Sequence, residues 1–246
     1  DRIYRLSDGV ETEFRDKFNH IKQPSGALAA SWEYNGGANR TAHLNVRAAR
    51  NKLSLAQTNY VYPLVGPDRD DRLTQDYATD AIEVGGDVTR PFAGGGIKLI
   101  GLVSRRRRDF RDVSFNRLTD QSVLGGFSQV LDDQYGETLA RLVWNRSDLN
   151  GWNVEAGAEG VINRLASNVD LLSFGPGGVA TRIDLPVDQA VVREVRGEGF
   201  VNAGRALSKK LRLDLGLTYE RSRITVSGDA TSRRTLSFWK PKAVID

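Results

Sequence analysis

The stretch VVREVRGEGFVNAGRALSKKLRLDLGLTYERSRIT, residues 191–225, predicts two long strands joined by a short turn at 206–210. Its second strand alternates leucines with polar residues: Leu213, Leu215 and Leu217 against Arg212, Asp214 and Glu220. A period of two indicates a strand whose two faces meet different surroundings. About ten residues without proline is the length that a tilted strand needs to cross a bilayer, whereas the commonest strand in globular proteins has about five or six residues.

The composition agrees with a strand that meets water on one side. Hydrophobic residues make up 39% and charged residues 27% of the 246 residues, which is polar for a packed globule and ordinary for a barrel with a wet interior. No run of about 18 apolar residues predicts a transmembrane helix. The chain contains 0 Cys, which excludes disulfides, thiolate metal sites and thiol catalysis.

The same hairpin pattern recurs along the chain. Alternation and turn residues predict about nine strands, at 26–34, 41–50, 78–90, 96–107, 137–146, 152–164, 190–205, 210–225 and 233–246. Short turns between them alternate with long polar connections, which we interpret as loops at 51–77, 108–135 and 165–186. Short turns at one end and long loops at the other are typical of outer-membrane barrels.

These features predict an all-β fold, an antiparallel up-and-down transmembrane β-barrel. Bacterial single-chain barrels have an even number of strands, so an odd count predicts that residues 1–246 form a segment of a larger barrel. The alternative is a small complete barrel with one strand missed near the N-terminus. In the first case the strands at 26–34 and 233–246 are open edges, and must pair with further residues of the same protein or with another chain.

Five segments carry a family resemblance: EVGGD (83–87), GGGIKLIGL (94–102), EAGAEG (155–160), LTYERS (217–222) and LSFWKPK (236–242). In this order the chain resembles the barrel portion of TonB-dependent receptor-like outer-membrane proteins. The resemblance implies a barrel of about 22 strands around an N-terminal plug, and uptake energised by an inner-membrane complex. No plug-like segment is visible in these residues, so no transport residue is carried over.

Alternation also assigns candidate residues to the two faces of the wall. The polar faces predict a lumen lining, because full charges are not buried unpaired in a core; the candidates are Glu155, Glu159, Arg212, Asp214 and Glu220. The apolar faces predict lipid contact by Leu213, Leu215, Leu217, Val154, Ala156 and Leu142. Trp144, Trp152 and Trp239 are candidates for an interfacial aromatic girdle, with core packing as the alternative.

The run Arg105, Arg106, Arg107 and Arg108 is the densest charge cluster. We interpret it as a contact for lipopolysaccharide phosphates, which arginine binds well. The alternative is a solvated rim whose arginines pair with Asp109 and Asp112. No aromatic residues interleave with the arginines, which argues against nucleic acid.

No pattern indicates an enzyme. The run Gly94–Gly96 lacks the Lys-Ser/Thr of a phosphate-binding loop and predicts a tight turn. Glu155 and Glu159 lie about 13 Å apart along a strand, too far for a glycosidase pair. His20 and His43 give no metal-ligand spacing, and we expect neither metal nor cofactor.

We therefore expect a receptor- or transporter-like barrel in the outer membrane of a Gram-negative bacterium, moving or binding a ligand through a gated lumen without covalent chemistry. The expected partners are outer-membrane lipid and lipopolysaccharide, further barrel strands and a plug, and an inner-membrane energising complex. The alternative is a structural or adhesion barrel whose long loops bind a partner. A third class is a soluble all-β binding protein.

Overall fold

A computed structural model describes residues 9–246 and, for the backbone alone, residues 2–5; residues 1 and 6–8 of the predicted 1–246 segment lie outside the described residues. The chain is all-β and antiparallel. Its strands are β1 (Arg2–Arg5), β2 (Glu11–Lys22), β3 (Ser25–Asn35), β4 (Thr41–Pro63), β5 (Arg69–Phe92), β6 (Gly95–Leu118), β7 (Val123–Leu149), β8 (Trp152–Phe174), β9 (Ala180–Arg182), β10 (Gln189–Ser208), β11 (Leu211–Gly228) and β12 (Ser232–Ile245). A 3₁₀ turn, Pro176–Gly178, lies between β8 and β9.

The strands form one up-and-down sheet in the order β1-β2-β4-β5-β6-β7-β8-β10-β11-β12, with β3 on β4 and β9 on β8. β2 and β3 follow one register along β4, because Lys22 pairs with Ser54 and Ser25 with Asn51. They act as one long strand interrupted at Pro24, which has no N–H to donate. The carbonyl of Pro24 still accepts a 2.9 Å hydrogen bond from the amide of Lys52.

Two hairpin turns follow directly from local sequence. Ala93 and Gly94 have φ of 46° and 73° between β5 and β6, and Asn150 and Gly151 have φ of 54° and 83° between β7 and β8. Positive φ at both central residues is the type I′ turn, whose twist matches that of the strands it joins. Asn-Gly is the preferred pair for this turn, so the tight turn expected at 147–151 is confirmed.

The strands form one sheet, so the register divides their side chains between its two sides. Buried side chains far apart in the sequence, among them Val143, Val161 and Phe200, share one face through the strand register. We call this side, which also carries Glu155 and Glu159, the inner face. The other side, which carries Leu215, is the outer face.

Successive short turns are staggered. Gly96, the second residue of β6, lies in one cross-strand row with Asn145, Glu155, Asn202 and Gly216, the sixth residue of β11. From the start of β6 to the start of β11, two hairpins further along the sheet, the strand ends therefore shift by four residues. Such a stagger belongs to strands that tilt relative to the axis of a curved sheet.

The three predicted loops are wrong in most of their length. Residues 51–77 contain the rest of β4 and the start of β5 around a tip at 64–68, and residues 108–135 continue β6 and β7 around a tip at 119–122. In the third range β8 continues to Phe174, and only the segment 175–188 is an extended connection, holding the 3₁₀ turn and β9. Strands of up to 27 residues, about 90 Å long, result.

We divide these long strands at one cross-strand row, the boundary row: Leu28, Ala48, Ile82, Arg105, Gly136, Arg164, Arg193 and Thr225. The half on the side of the short turns is the proximal half, and the half on the side of the tips is the distal half. The predicted strand at 26–34 lies within β3. The predicted strands at 78–90 and 137–146 cover the proximal parts of β5 and β7 but leave out most of the distal parts.

The sheet is open. Within the described residues β3 pairs with β4 alone and β12 with β11 alone, so these two strands do not pair with each other. Side chains of β3 are exposed along its whole length, as are nearly all of those of β12. The all-β, up-and-down part of the predicted fold is thus present, whereas closure into a barrel is not.

Candidate functional site

A row of charged side chains crosses the inner face of the proximal half. The register brings together eight neighbouring positions, seven of them titratable: Glu33, His43, Asp87, Ile100, Arg141, Glu159, Glu198 and Glu220. We call this set the charged row. It draws one residue from each of eight strands, so only the register of the whole sheet assembles it.

Ion pairs inside and beside the charged row hold its side chains in place. Glu159, whose side chain is 10% exposed, accepts from Arg141 at 3.3 Å and from Arg196 at 3.2 Å. Arg141 also lies 4.7 Å above the ring of Phe200, a cation–π distance. The negative charge of this largely buried carboxylate is thus balanced by two half-buried guanidinium groups. A buried charge requires such partners.

A second cluster lies at the β3–β5 end of the charged row. Asp87 accepts from Lys98 Nζ at 3.1 Å and faces His43 Nδ1 at 3.1 Å. His43 Nε2 lies 3.6 Å from Glu33. At the other end, Lys240 Nζ lies 2.6 Å from Glu220. The proximal inner face therefore carries several ion pairs, which is typical of a surface in contact with water.

Two inner-facing rows distal of the charged row, the inner face opens into a hollow of about 680 Å³, whose lining includes Arg47, Glu83, Arg106, Glu137 and Glu194. Glu194 accepts from Ser222 at 2.8 Å and from Asn163 at 3.2 Å. Among the described residues, the carboxylates of Glu83 and Glu137 have no hydrogen-bond or ion-pair partner. The hollow thus offers two unengaged carboxylates between positively charged neighbours.

The distal half places apolar and polar side chains differently. On its inner face lie apolar residues: Leu53, Leu55, Val61, Leu73, Leu131, Leu165, Val169 and Leu171. Its inner charge pairs include Arg69 with Asp71 at 3.2 Å and Arg108 with Asp133. The Asp133 side chain is 3% exposed and accepts from the Tyr135 hydroxyl at 3.1 Å. Its outer face carries exposed ion pairs instead, including Arg107 with Asp132 at 2.5 Å.

Asp112, also on the distal inner face, is poorly compensated. Its Oδ2 accepts a weak 3.4 Å hydrogen bond from Gln75, and its buried Oδ1 has no partner in the described part of the chain. Burial raises the pKa of this carboxyl because it disfavours the charged form, and the Gln75 hydrogen bond offsets only part of the rise.

The outer face of the proximal half is an apolar belt. Its members, drawn from every long strand, include Leu28, Leu44, Val46, Ile82, Val84, Val88, Ile97, Leu99, Val103, Leu142, Val154, Ile162, Val195, Val201, Leu213, Leu215 and Leu217. Leu142 is 45% and Leu215 is 42% exposed. Trp32, Phe92, Trp144 and Trp152 lie on this face towards the short turns. Apolar surface of this extent marks an interaction site for lipid or protein.

The structure places the predicted face residues on the two sides that alternation assigned to them. Glu155, Glu159 and Glu220 lie on the inner face with Arg212 and Asp214, and all six predicted lipid-facing residues lie on the outer face. Sequence reasoning missed Arg141, Asp87 and Arg196. Each occupies a polar position of an alternating strand, but their proximity depends on the register between strands.

The arginine run at 105–108 does not form one cluster. Side chains alternate along β6, so Arg105 and Arg107 lie on the outer face while Arg106 and Arg108 lie on the inner face. Arg106 lies 4.2 Å above the ring of Tyr135. Arg107 pairs with Asp109 at 3.1 Å, as the alternative interpretation expected, but Asp112 contacts Gln75 instead. The four arginines therefore do not share one face, and their contact with lipopolysaccharide stays a prediction.

Comparisons of this chain with protein-family models, curated proteins and solved structures found no match. Within residues 9–246, no group of three or more His, Cys, Asp or Glu side chains could hold a metal ion. The described part of the chain also has no helix that is long and apolar enough to cross a membrane.

Proposed function

We propose that this chain forms part of the wall of a TonB-dependent receptor-like barrel in the outer membrane of a Gram-negative bacterium, and that its inner face binds or passes a polar ligand. The observation that carries the proposal is the opposite polarity of the two faces in the proximal half. An apolar belt on one face and a lattice of paired charges on the other match lipid outside and water inside.

Dimensions support the membrane part of the proposal. On β11 the belt extends from Leu211 to Tyr219, nine residues, close to the nine to eleven that a tilted strand needs to cross a bilayer. The stagger between turns supports a tilt. An open sheet in lipid would leave unpaired N–H and C=O groups at β3 and β12, each costing several kcal/mol, so we propose that further strands close the wall.

The hollow on the inner face supports the ligand part. Its unengaged carboxylates, Glu83 and Glu137, share the lining of the hollow with Arg47 and Arg106, and Arg47 is the cross-strand partner of Glu83. Such a surface can hydrogen-bond a polar ligand that carries both positive and negative groups. No covalent step is required, and the ligand would be held by charge and released to water.

Paired single-cysteine variants test the wall directly, because the chain contains 0 Cys. Glu155 and Ala156 are consecutive on β8 and lie on opposite faces. In intact outer membranes a charged, water-soluble maleimide should label Glu155→Cys and leave Ala156→Cys unlabelled. A lipid-soluble maleimide should instead label Ala156→Cys more than Glu155→Cys.

Two further outcomes would favour the alternative functions. Equal labelling of both positions, in protein that is recovered without detergent, would favour a soluble all-β binding protein. A bulky maleimide attached to Glu155→Cys should also impair ligand uptake. Uptake that is unaffected by this label would favour the structural or adhesion barrel. The tips at 64–68 and 119–122 are short, which weakens the version of that alternative in which long loops bind the partner.

A further inference from the structure

Five arginines gather on the outer face where the apolar belt ends. Arg105, Arg164 and Arg193 lie in the boundary row, and Arg223 and Arg221 follow on β11 opposite Val195 and Gly197. All five are exposed. We call them the arginine patch. Only Arg105 belongs to the arginine run seen in the sequence; the other four come from β8, β10 and β11.

The register places the arginines of the arginine patch on one face of neighbouring strands. Arg164 and Arg193 are direct cross-strand partners, about 5 Å apart at Cβ. Between Arg105 and Arg164 lies Gly136, and the Arg105 side chain leans over it: a Cβ at Gly136 would lie 3.0 Å from Arg105 Nη1. Glycine therefore leaves open the path by which Arg105 approaches Arg164.

Within residues 9–246, no carboxylate forms an ion pair with an arginine of this patch. Arg105 donates only to the carbonyls of Ser104, at 2.8 Å, and Glu137, at 3.2 Å. The side chains of Arg164, Arg193, Arg221 and Arg223 have no hydrogen-bond or ion-pair partner among the described residues. Like charges that face each other across strands destabilise a sheet. An arrangement of this kind is stable when an anion lies between the charges.

The surface directly below suits acyl chains. Two rows towards the short turns, the outer face has a row of small residues: Gly197, Gly160, Ala140, Gly101 and Gly86. A Cβ at Gly160 or at Gly101 would meet no atom within 4 Å, so packing does not require glycine there. Beside Arg105 lies a hollow of about 820 Å³, whose lining includes Leu28, Ala48 and Ile82 together with Arg50 and Asp80.

We propose that the arginine patch binds the phosphate groups of one phosphorylated glycolipid, the lipid A part of lipopolysaccharide, whose acyl chains lie along the small-residue row and the belt. This inference rests on the proposed function, because it takes the belt to be in lipid with the distal half towards the cell exterior. Arginine suits phosphate because its planar donors bind two oxygens at once. The proposal replaces the predicted contact of residues 105–108.

Native mass spectrometry of the whole protein, purified from outer membranes and delipidated in detergent, tests the proposal with purified lipid A. The test variant is Arg164→Gln with Arg193→Gln. The control variant is Arg146→Gln with Arg205→Gln, on the same face but beside the short turns. We expect wild type and control to bind one diphosphorylated lipid A, and the test variant to bind at least tenfold more weakly. Monophosphorylated lipid A should bind wild type more weakly than the diphosphorylated form.

Thermal unfolding gives a second readout that a merely structural role would not produce. Without lipid A, Arg193→Gln should raise the unfolding temperature, because it removes repulsion from Arg164. With lipid A in excess, the same variant should unfold at a lower temperature than wild type. A change of the same sign in both conditions, or equal binding by wild type and test variant, overturns the inference.

The outcomes also separate this inference from the proposed function. Protein that requires detergent but binds no lipid A would overturn the lipid site and leave the wall intact. Recovery of the protein in the soluble fraction without detergent would overturn both.

Discussion

The proximal and distal halves of the same strands distribute apolar and charged side chains differently between the two faces. In the proximal half the outer face carries leucines such as Leu215 and the inner face carries the charged row. In the distal half the outer face carries ion pairs such as Arg107 with Asp132, while leucines such as Leu131 lie inside. The change occurs within one or two residues of the boundary row, on neighbouring strands.

This difference shows that strand pairing and the polarity of the two faces are set separately. Backbone pairing continues without a break across the boundary row, from Lys98 with Val143 to Arg111 with Val130. What changes is which face can hold charge. A single sheet that stands partly in lipid and partly in water has this pattern, because the lipid-facing side must be apolar only where lipid is present.

The largest expected effect is the separation of the two ends by the membrane. Trypsin added to intact cells should cut after Arg182, in the long distal connection, and leave the proximal Lys209–Lys210 turn uncut. Permeabilised cells are the control, in which both sites should be cleaved. Cleavage of intact cells confined to the proximal end, after Arg146, Lys209 or Lys210, would invert the orientation.

Next is the effect of a charge on the belt. Leu215→Arg should destabilise the protein by about 3 kcal/mol in lipid vesicles, because lipid does not solvate the guanidinium. Thr74→Arg, on the outer face of the distal half, is the matched control and should cost less than about 0.5 kcal/mol. Urea unfolding monitored by tryptophan fluorescence measures both. Equal costs would mean that the belt does not face lipid.

The third effect compares two consecutive aspartates in the distal half. Asp133→Ala should cost about 2 to 3 kcal/mol, because it leaves Arg108 partly buried without its partner. Asp132→Ala removes an exposed pair with Arg107 and should cost less than about 1 kcal/mol. The same unfolding assay applies. A larger loss from Asp132→Ala would show that the faces of the distal half have been assigned in reverse.

The smallest effect concerns Asp112. Because burial raises its pKa in the folded state, ionisation of Asp112 opposes folding as the pH rises through the range between its unfolded and folded pKa values. Asp112→Asn should therefore stabilise the protein by up to about 1 kcal/mol at pH 7 and by much less near pH 3. Asp184→Asn, in an exposed connection, is the control. Destabilisation at pH 7 by Asp112→Asn would show that the carboxylate has a favourable partner.

Local sequence determined the strands of the proximal half and the faces of their residues. Alternation along 211–219 assigned Leu213 and Asp214 to opposite faces, and Asn150–Gly151 specified a tight turn, because both signals act over neighbouring residues. The distal strands escaped detection for a related reason. Both faces of the distal half carry polar residues. Leu53 and Leu55 therefore alternate with residues such as Ser54 and Ala56, and the difference in hydrophobicity between the two faces is too small to predict a strand.

Only the tertiary structure decided which residues meet across strands. The charged row joins Glu33 to Glu220, and the arginine patch joins Arg105 to Arg223, over separations that no local pattern can relate. A register shift of one residue would move every one of these side chains to the other face. The sequence by itself therefore determined the faces of the proximal wall, whereas the pairing of whole strands decided where its charges gather, because register is a property of the assembled sheet.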